Sequence, residues 1–127
     1  MLEYNPSNSI DADEWLEVDE LMRSELVRKF HRGLDEPLSE DSLPGHALIH
    51  VIVENQIATN IELVPETIAK LVRQGLDRHE AVHAIGALIS AQMFNLAQGN
   101  IEKFCTVKYK RQLKKLTAKR WLKGKRS

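Results

Sequence analysis

The sequence has little cysteine and no long apolar run, and these shortages exclude whole classes of protein. Cys105 is the one cysteine, so the chain cannot form an internal disulfide, as is typical of reducing compartments. No apolar run approaches the roughly 20 residues that a membrane-spanning helix requires. The N-terminus lacks the basic and apolar regions of a signal peptide. We therefore expect a cytoplasmic protein without a membrane span.

Acidic residues are missing from one end of the chain, although the net charge of all 127 residues is zero. Residues 1–102 hold 7 of the 18 basic and all 18 acidic side chains, which gives a charge of −11. Residues 103–127 hold the other 11 basic side chains, which gives +11. This asymmetry is typical of an acidic body with a basic extension. We divide the chain into a helical domain over 1–100 and a basic C-terminal helix or arm over 101–127.

Helix-end signals and apolar spacing predict the first helix. Asp11 followed three residues later by Glu14 is a capping-box pattern. Apolar residues then recur at helical spacing as far as Gly33, which predicts one helix over 12–32. A loop rich in proline and acid follows over 35–45.

Segment 46–58 is apolar on nearly every side, which is typical of a buried helix. Its β-branched residues also permit a strand, but we prefer the helix because no turn signal interrupts the run. Further on, Pro65 and Gly75 bound a short helix, 65–74. Asp77 then caps a helix that continues to about Gln98.

Residues 101–123 alternate lysines with apolar residues, which permits an amphipathic helix or a partly ordered arm. Together these patterns predict an all-α fold, a small antiparallel bundle of four to five helices with a basic C-terminal arm. The oligomeric state does not follow from the sequence.

Two histidine pairs carry the chemistry, His46 with His50 and His79 with His83. Residues four apart lie on one face of a helix, so each pair can converge on one metal ion. Glu54 lies one turn beyond His50 on the same row. We predict a divalent metal site, with zinc as first choice and iron or manganese as alternatives. The other interpretation is a buried histidine–glutamate hydrogen-bond network without an ion.

Two further residues are candidates for the same site, Glu20 and His31, since helical spacing can place them near it. The motif His-Glu-x-x-His at His79–His83 is also the signature of zinc hydrolases. In such a hydrolase Glu80 would be the general base. An ordinary helix-capping role for Glu80, three residues after Asp77, explains it equally well.

The basic arm suggests a third function, contact with RNA or DNA. Its cations can neutralise phosphates, and an aromatic ring among them can stack on bases. The candidate residues are Lys108, Lys110, Arg111, Lys114, Lys115, Lys119, Arg120 and Trp121. A solvated tail, a contact with the acidic body and an anionic-membrane contact are the alternatives.

Segments HALIHVIVENQIA and GLDRHEAVHAIGALIS, with EWLEVDELMR and KFHRGL before them, resemble a family of small bacterial helical proteins of unknown function. That family shares the pattern His-x3-His-x3-Glu-Asn-Gln followed by Gly-Leu-x-Arg-His-Glu-Ala-x-His. The resemblance covers roughly 14–97 and implies a cytosolic helical fold without an assigned activity. The pattern falls on His46, His50, Glu54, Asn55, Gln56, Arg78, His79, Glu80 and His83, and less firmly on Glu20, Arg23 and His31.

Overall fold

The computed structural model describes residues 2–126, and over this range the chain is all-helical, without a strand. Its helices are α1 Ala12–Glu17, α2 Glu20–Arg32, α3 Leu43–Ala58, α4 Val64–Arg73, α5 Arg78–Ala97, α6 Thr106–Lys115 and α7 Ala118–Arg126. The all-α prediction is confirmed. The helix number exceeds the predicted four to five because the first helix is interrupted and the basic arm forms two helices.

The predicted continuous helix over 12–32 is wrong at Val18, which has an extended backbone and ends α1. Asp19 begins α2 by accepting a hydrogen bond from the backbone N–H of Leu21. The carbonyl groups freed by the break are taken up by Arg23, which donates to Leu16 O at 2.9 Å and to Val18 O at 2.8 Å. A tertiary contact of this kind leaves no periodic signal in the sequence.

Helix α3 packs against α1, α2, α4 and α5, and the preference for a helix over 46–58 is confirmed. It begins slightly earlier than predicted, with Pro44 in its first turn. Its contact with α5 is close at Gly86, where a Cβ atom would lie 2.6 Å from Ile49 Cγ2. Glycine at this position therefore lets the two histidine-bearing helices approach each other.

The basic C-terminal segment folds against the body of the protein. Tyr109, Leu113 and Ala118 are buried in the same apolar cluster as Val53 and Ile85. The helical interpretation of this segment therefore replaces the partly ordered one over the range that the structure describes. A second apolar cluster joins the N-terminal residues to α2 and α3 and consists of Tyr4, Trp15, Leu26, Val27, Ala47 and Val51.

Within residues 2–126, none of the helices has the length and apolar character that crossing a membrane requires.

Candidate metal centre

Histidines from three helices meet in one place. Four of them, His31 from α2, His50 from α3, and His79 and His83 from α5, each offer one ring nitrogen within 4.8 Å of the others. A group of this kind could hold a metal ion. The sequence predicted that α3 and α5 face each other, and His31, one of its two additional candidates, joins the group from the last turn of α2.

The closest approach within the cluster is between ring nitrogens. His50 Nε2 lies 3.0 Å from His83 Nε2 and 3.1 Å from His46 Nε2. Two nitrogen atoms bonded to one ion at about 2.0–2.1 Å lie roughly 2.8–3.4 Å apart at octahedral or tetrahedral angles. The separation between His50 and His83 therefore suits a shared ion as well as a hydrogen bond.

Backbone geometry fixes the tautomer of His31. Its Nδ1 lies 2.8 Å from the carbonyl oxygen of Val27, one turn earlier in α2. A carbonyl only accepts, so Nδ1 must carry the hydrogen, and in the neutral ring Nε2 holds a lone pair. This Nε2 is buried and has no hydrogen-bond partner among the described residues.

The tautomer of His50 is fixed by a tyrosine from the N-terminal segment. Tyr4 Oη lies 2.8 Å from His50 Nδ1 and donates to Glu54 Oε2 at 2.7 Å. Since a hydroxyl has one hydrogen, His50 Nδ1 must donate to Tyr4, which leaves a lone pair on His50 Nε2. His31 and His50 thus both present an unprotonated Nε2 to the cluster.

A buried ion pair holds this tyrosine in place. Arg78 donates to both oxygens of Glu54, at 2.7 and 2.9 Å, and also to Pro6 O at 3.0 Å. The side chains of Glu54 and Arg78 are 2% and 9% exposed. Burial, followed by the nearby Glu54 carboxylate, raises the pKa of Tyr4 and keeps its hydroxyl protonated.

Burial also keeps the histidines neutral. It lowers the pKa of His46 and of His83 to about 4, with repulsion from neighbouring imidazoles as the next cause. The pKa values of His50 and His79 are lowered as well, again first by burial. Neutral imidazole is the form that binds metals.

The remaining predicted ligands take different positions. His46 borders the group of four through its contact with His50 and lies outside it. Glu54 is on the predicted row, but its carboxylate is bonded to Tyr4 and Arg78. Glu20 is exposed in the first turn of α2.

Glu80, the predicted general base, accepts a hydrogen bond from Trp121 Nε1 at 2.7 Å. This contact ties α5 to α7 and keeps the indole ring against the body of the protein.

Of the predicted arm cations, Lys110 pairs with Glu62 at 2.7 Å. A separate shallow surface of about 430 Å³ is lined by other cations of that set, namely Lys108, Arg111, Lys115 and Arg120.

Sequence reasoning missed Tyr4 entirely, because it lies 46 residues before His50 in a segment without periodicity. The role of Arg78 as partner of Glu54 was also missed. The sequence does hold one signal for this role. Arg78 directly precedes the His-Glu-x-x-His motif, within residues 1–102, where acidic side chains outnumber basic ones.

Comparisons with protein-family models, with curated proteins and with solved structures found no match. Any conclusion about the function of this protein therefore rests on its fold and its site. It is an all-helical protein with a histidine cluster that could hold a metal ion.

Proposed function

We propose that the protein is a metal-binding helical domain in which His31, His50, His79 and His83 hold one divalent ion. The observation that carries the proposal is a pair of buried nitrogens, His31 Nε2 and His79 Nε2, that have no hydrogen-bond partner within residues 2–126. An unsatisfied buried polar atom costs about 1–3 kcal/mol. An ion bonded to both nitrogens would remove that cost.

The alternative without an ion fits the same contacts less well. His50 Nε2 holds one lone pair and faces the Nε2 atoms of both His46 and His83. One lone pair accepts one well-directed hydrogen bond, so the network satisfies His50 and one neighbour. The nitrogens of His31 and His79 would stay unpaired, whereas one ion engages the whole group.

Zinc is our proposal for the ion, with iron as the alternative. All four ligands are imidazoles, and imidazole suits zinc, copper, iron and nickel. Carboxylate and water suit manganese and magnesium, and the buried carboxylate of Glu54 beside the cluster is already bonded to Arg78. The ligand set therefore favours zinc over manganese.

Contact with RNA or DNA stays a prediction. The cationic surface formed by Lys108, Arg111, Lys115 and Arg120 supports phosphate contact. Stacking on the arm is less favoured because Trp121 is half-buried and bonded to Glu80. Metal-dependent hydrolysis, the cytoplasmic location and membership of the bacterial family likewise stay predictions.

Metal content tests the proposed function. Protein stripped of metal and then dialysed against zinc should hold one ion per chain by elemental analysis, and His50→Ala should hold far less. Asn95→Ala, a polar truncation on α5 away from the cluster, should bind as wild type. Wild-type protein that retains neither zinc nor iron in stoichiometric amount would refute the proposal.

A further inference from the structure

One surface of the basic C-terminal segment carries cations that the rest of the protein leaves unpaired. These exposed residues are Lys108, Arg111, Lys115 and Arg120. None of them forms an ion pair within the part of the chain that the structure describes. Lys108, Arg111 and Lys115 follow one another at steps of three and four residues, so they lie in one row along α6.

The body of the protein fixes both helices behind this cationic surface. Gln92, which is 2% exposed, bonds the backbone of Cys105 at the start of α6 through both its amide atoms, at 2.7 and 3.1 Å. Lys70 donates to two carbonyl groups in the last turn of α6, at 3.2 and 3.3 Å. Gln74 accepts from the backbone N–H of Ala118, which begins α7, at 2.8 Å. The cations thus extend from a fixed backbone, so less conformational freedom is lost when they bind a partner.

The charge of the whole molecule indicates the sign of that partner. Residues 103–127 hold 11 basic and no acidic side chains, whereas residues 1–102 have a net charge of −11. A polyanion is therefore attracted to the C-terminal segment and repelled by the body. We propose that the cationic surface binds the phosphate backbone of a nucleic acid duplex. The proposed contact does not depend on the metal ion.

The aromatic rings of the C-terminal segment favour a duplex over a single strand. Proteins that bind single strands stack bases on aromatic side chains. Here Tyr109 is 3% exposed and donates to Gln56 at 2.6 Å, and the ring of Phe104 packs against it. Trp121 is half-buried and bonded to Glu80. All three rings are thus engaged within the protein, so phosphate charge is the main attraction, and a duplex carries more of it per unit length.

The apolar side of α6 disfavours a membrane as the partner. A helix that lies on a bilayer inserts its apolar face among the lipids. On α6 this face includes Tyr109 and Leu113, one turn apart, and both are buried in the core cluster, at 3% and 0% exposure. Insertion of α6 would therefore require it to leave the body of the protein, whereas contact with phosphates requires no rearrangement.

The spacing of the cations sets the expected strength of the salt dependence. Lys108 and Lys115 lie about 10 Å apart along α6 at a rise of 1.5 Å per residue. This length matches about three phosphate steps of roughly 3.4 Å along one strand. Four cations that each contact one phosphate predict a slope of about −3.6 for log affinity against log salt concentration. Affinity should then fall about 150-fold between about 50 and 200 mM salt.

Fluorescence anisotropy of the full chain with labelled DNA and RNA duplexes of about 20 base pairs tests the proposal. Arg111→Gln combined with Lys115→Gln should weaken binding about tenfold or more at the lower salt concentration. The affinity of this surface variant should fall only about 12-fold over the same salt range, because two contacts are gone. Lys29→Gln combined with Arg32→Gln removes the same charge from α2, outside the surface, and should bind as wild type does. The duplex bound more tightly identifies the source of the phosphates.

Circular dichroism checks that each variant folds, and Lys108→Gln combined with Arg120→Gln repeats the test if the first surface variant does not. Equal weakening in the surface variant and the α2 control would overturn the proposal, because net charge alone would then explain the binding. Tighter binding to an oligothymidine strand of equal length would overturn the preference for a duplex. Wild type that binds neither duplex at about 50 mM salt would overturn the proposal altogether, and binding to phosphatidylserine vesicles in that case would identify a membrane surface as the partner.

Discussion

His31 and His50, the inner histidines, are more deeply buried than His46 and His83, the outer ones. The rings of all of them pack together in the same cluster. The inner rings are 2% and 0% exposed, and each has its Nδ1 bonded to a fixed oxygen. The outer rings are only half-buried. A ligand held in place before the ion arrives loses little freedom on binding, so the inner pair should contribute more to affinity than His46, which lies outside the group of four.

The largest expected effect comes from breaking the buried Glu54–Arg78 ion pair, whose carboxylate accepts the hydrogen bond of Tyr4. Glu54→Ala leaves the Arg78 guanidinium buried without its carboxylate. Removing one partner of a buried ion pair costs about 3–5 kcal/mol in the free energy of unfolding. Urea denaturation of metal-free protein measures it.

The exposed pair of Lys110 and Glu62 supplies the control, because solvent screens such pairs. Glu62→Ala should leave the denaturation midpoint close to that of wild type. If both variants unfold at the same urea concentration, the Glu54–Arg78 pair does not anchor the inner side.

Metal affinity should separate an inner histidine from an outer one. His31→Ala removes a member of the group of four, and its loss should exceed the roughly 100-fold upper range known for outer hydrogen-bond partners. His46→Ala removes a ring outside that group and should keep affinity within about tenfold of wild type. Competition with a chromophoric zinc chelator gives both constants. Equal losses would show that His46 is a ligand as well.

A smaller effect is expected from Tyr4→Phe, which removes a hydroxyl without changing the shape of the ring. His50 Nδ1 then loses its acceptor, and the tautomer with a lone pair on Nε2 is no longer enforced. Loss of such a partner lowers metal affinity about 10–100-fold. Tyr109→Phe, which removes a hydroxyl bonded to Gln56 away from the cluster, is the control and should leave affinity unchanged.

Local signals predicted most of the helices and the histidine pairs. Side chains of Asp11 and Asp77 accept hydrogen bonds at the starts of α1 and α5, and Gly33 ends α2, as their sequence positions indicated. Spacing of four within a helix also sufficed to place His79 beside His83, with ring centroids 4.3 Å apart.

Long-range contacts explain what the sequence did not predict. Glu54 follows His50 by one turn, which suggested a ligand, but Arg78, 24 residues further on, bonds its carboxylate. The break at Val18 depends on Arg23 reaching back to two carbonyl groups. Periodicity reports which face of a helix is buried, and it carries no information on which residue from another helix meets that face.

A further expected effect concerns pH and the two outer histidines. Burial lowers the pKa of His46 and His83 from 6.5 to about 4 in the folded protein. Between these values the unfolded chain binds protons that the folded chain does not, so the free energy of unfolding must fall as pH falls. Below about pH 4 these two groups no longer make the free energy of unfolding depend on pH.

Urea denaturation of metal-free wild type and His46→Asn at successive pH values should give converging curves of unfolding free energy between pH 6.5 and 4. The variant loses less stability because one such group is gone, and carboxylate titration cancels in the difference. Parallel curves over that interval would mean that the His46 ring is protonated as readily in the folded protein as in the unfolded chain.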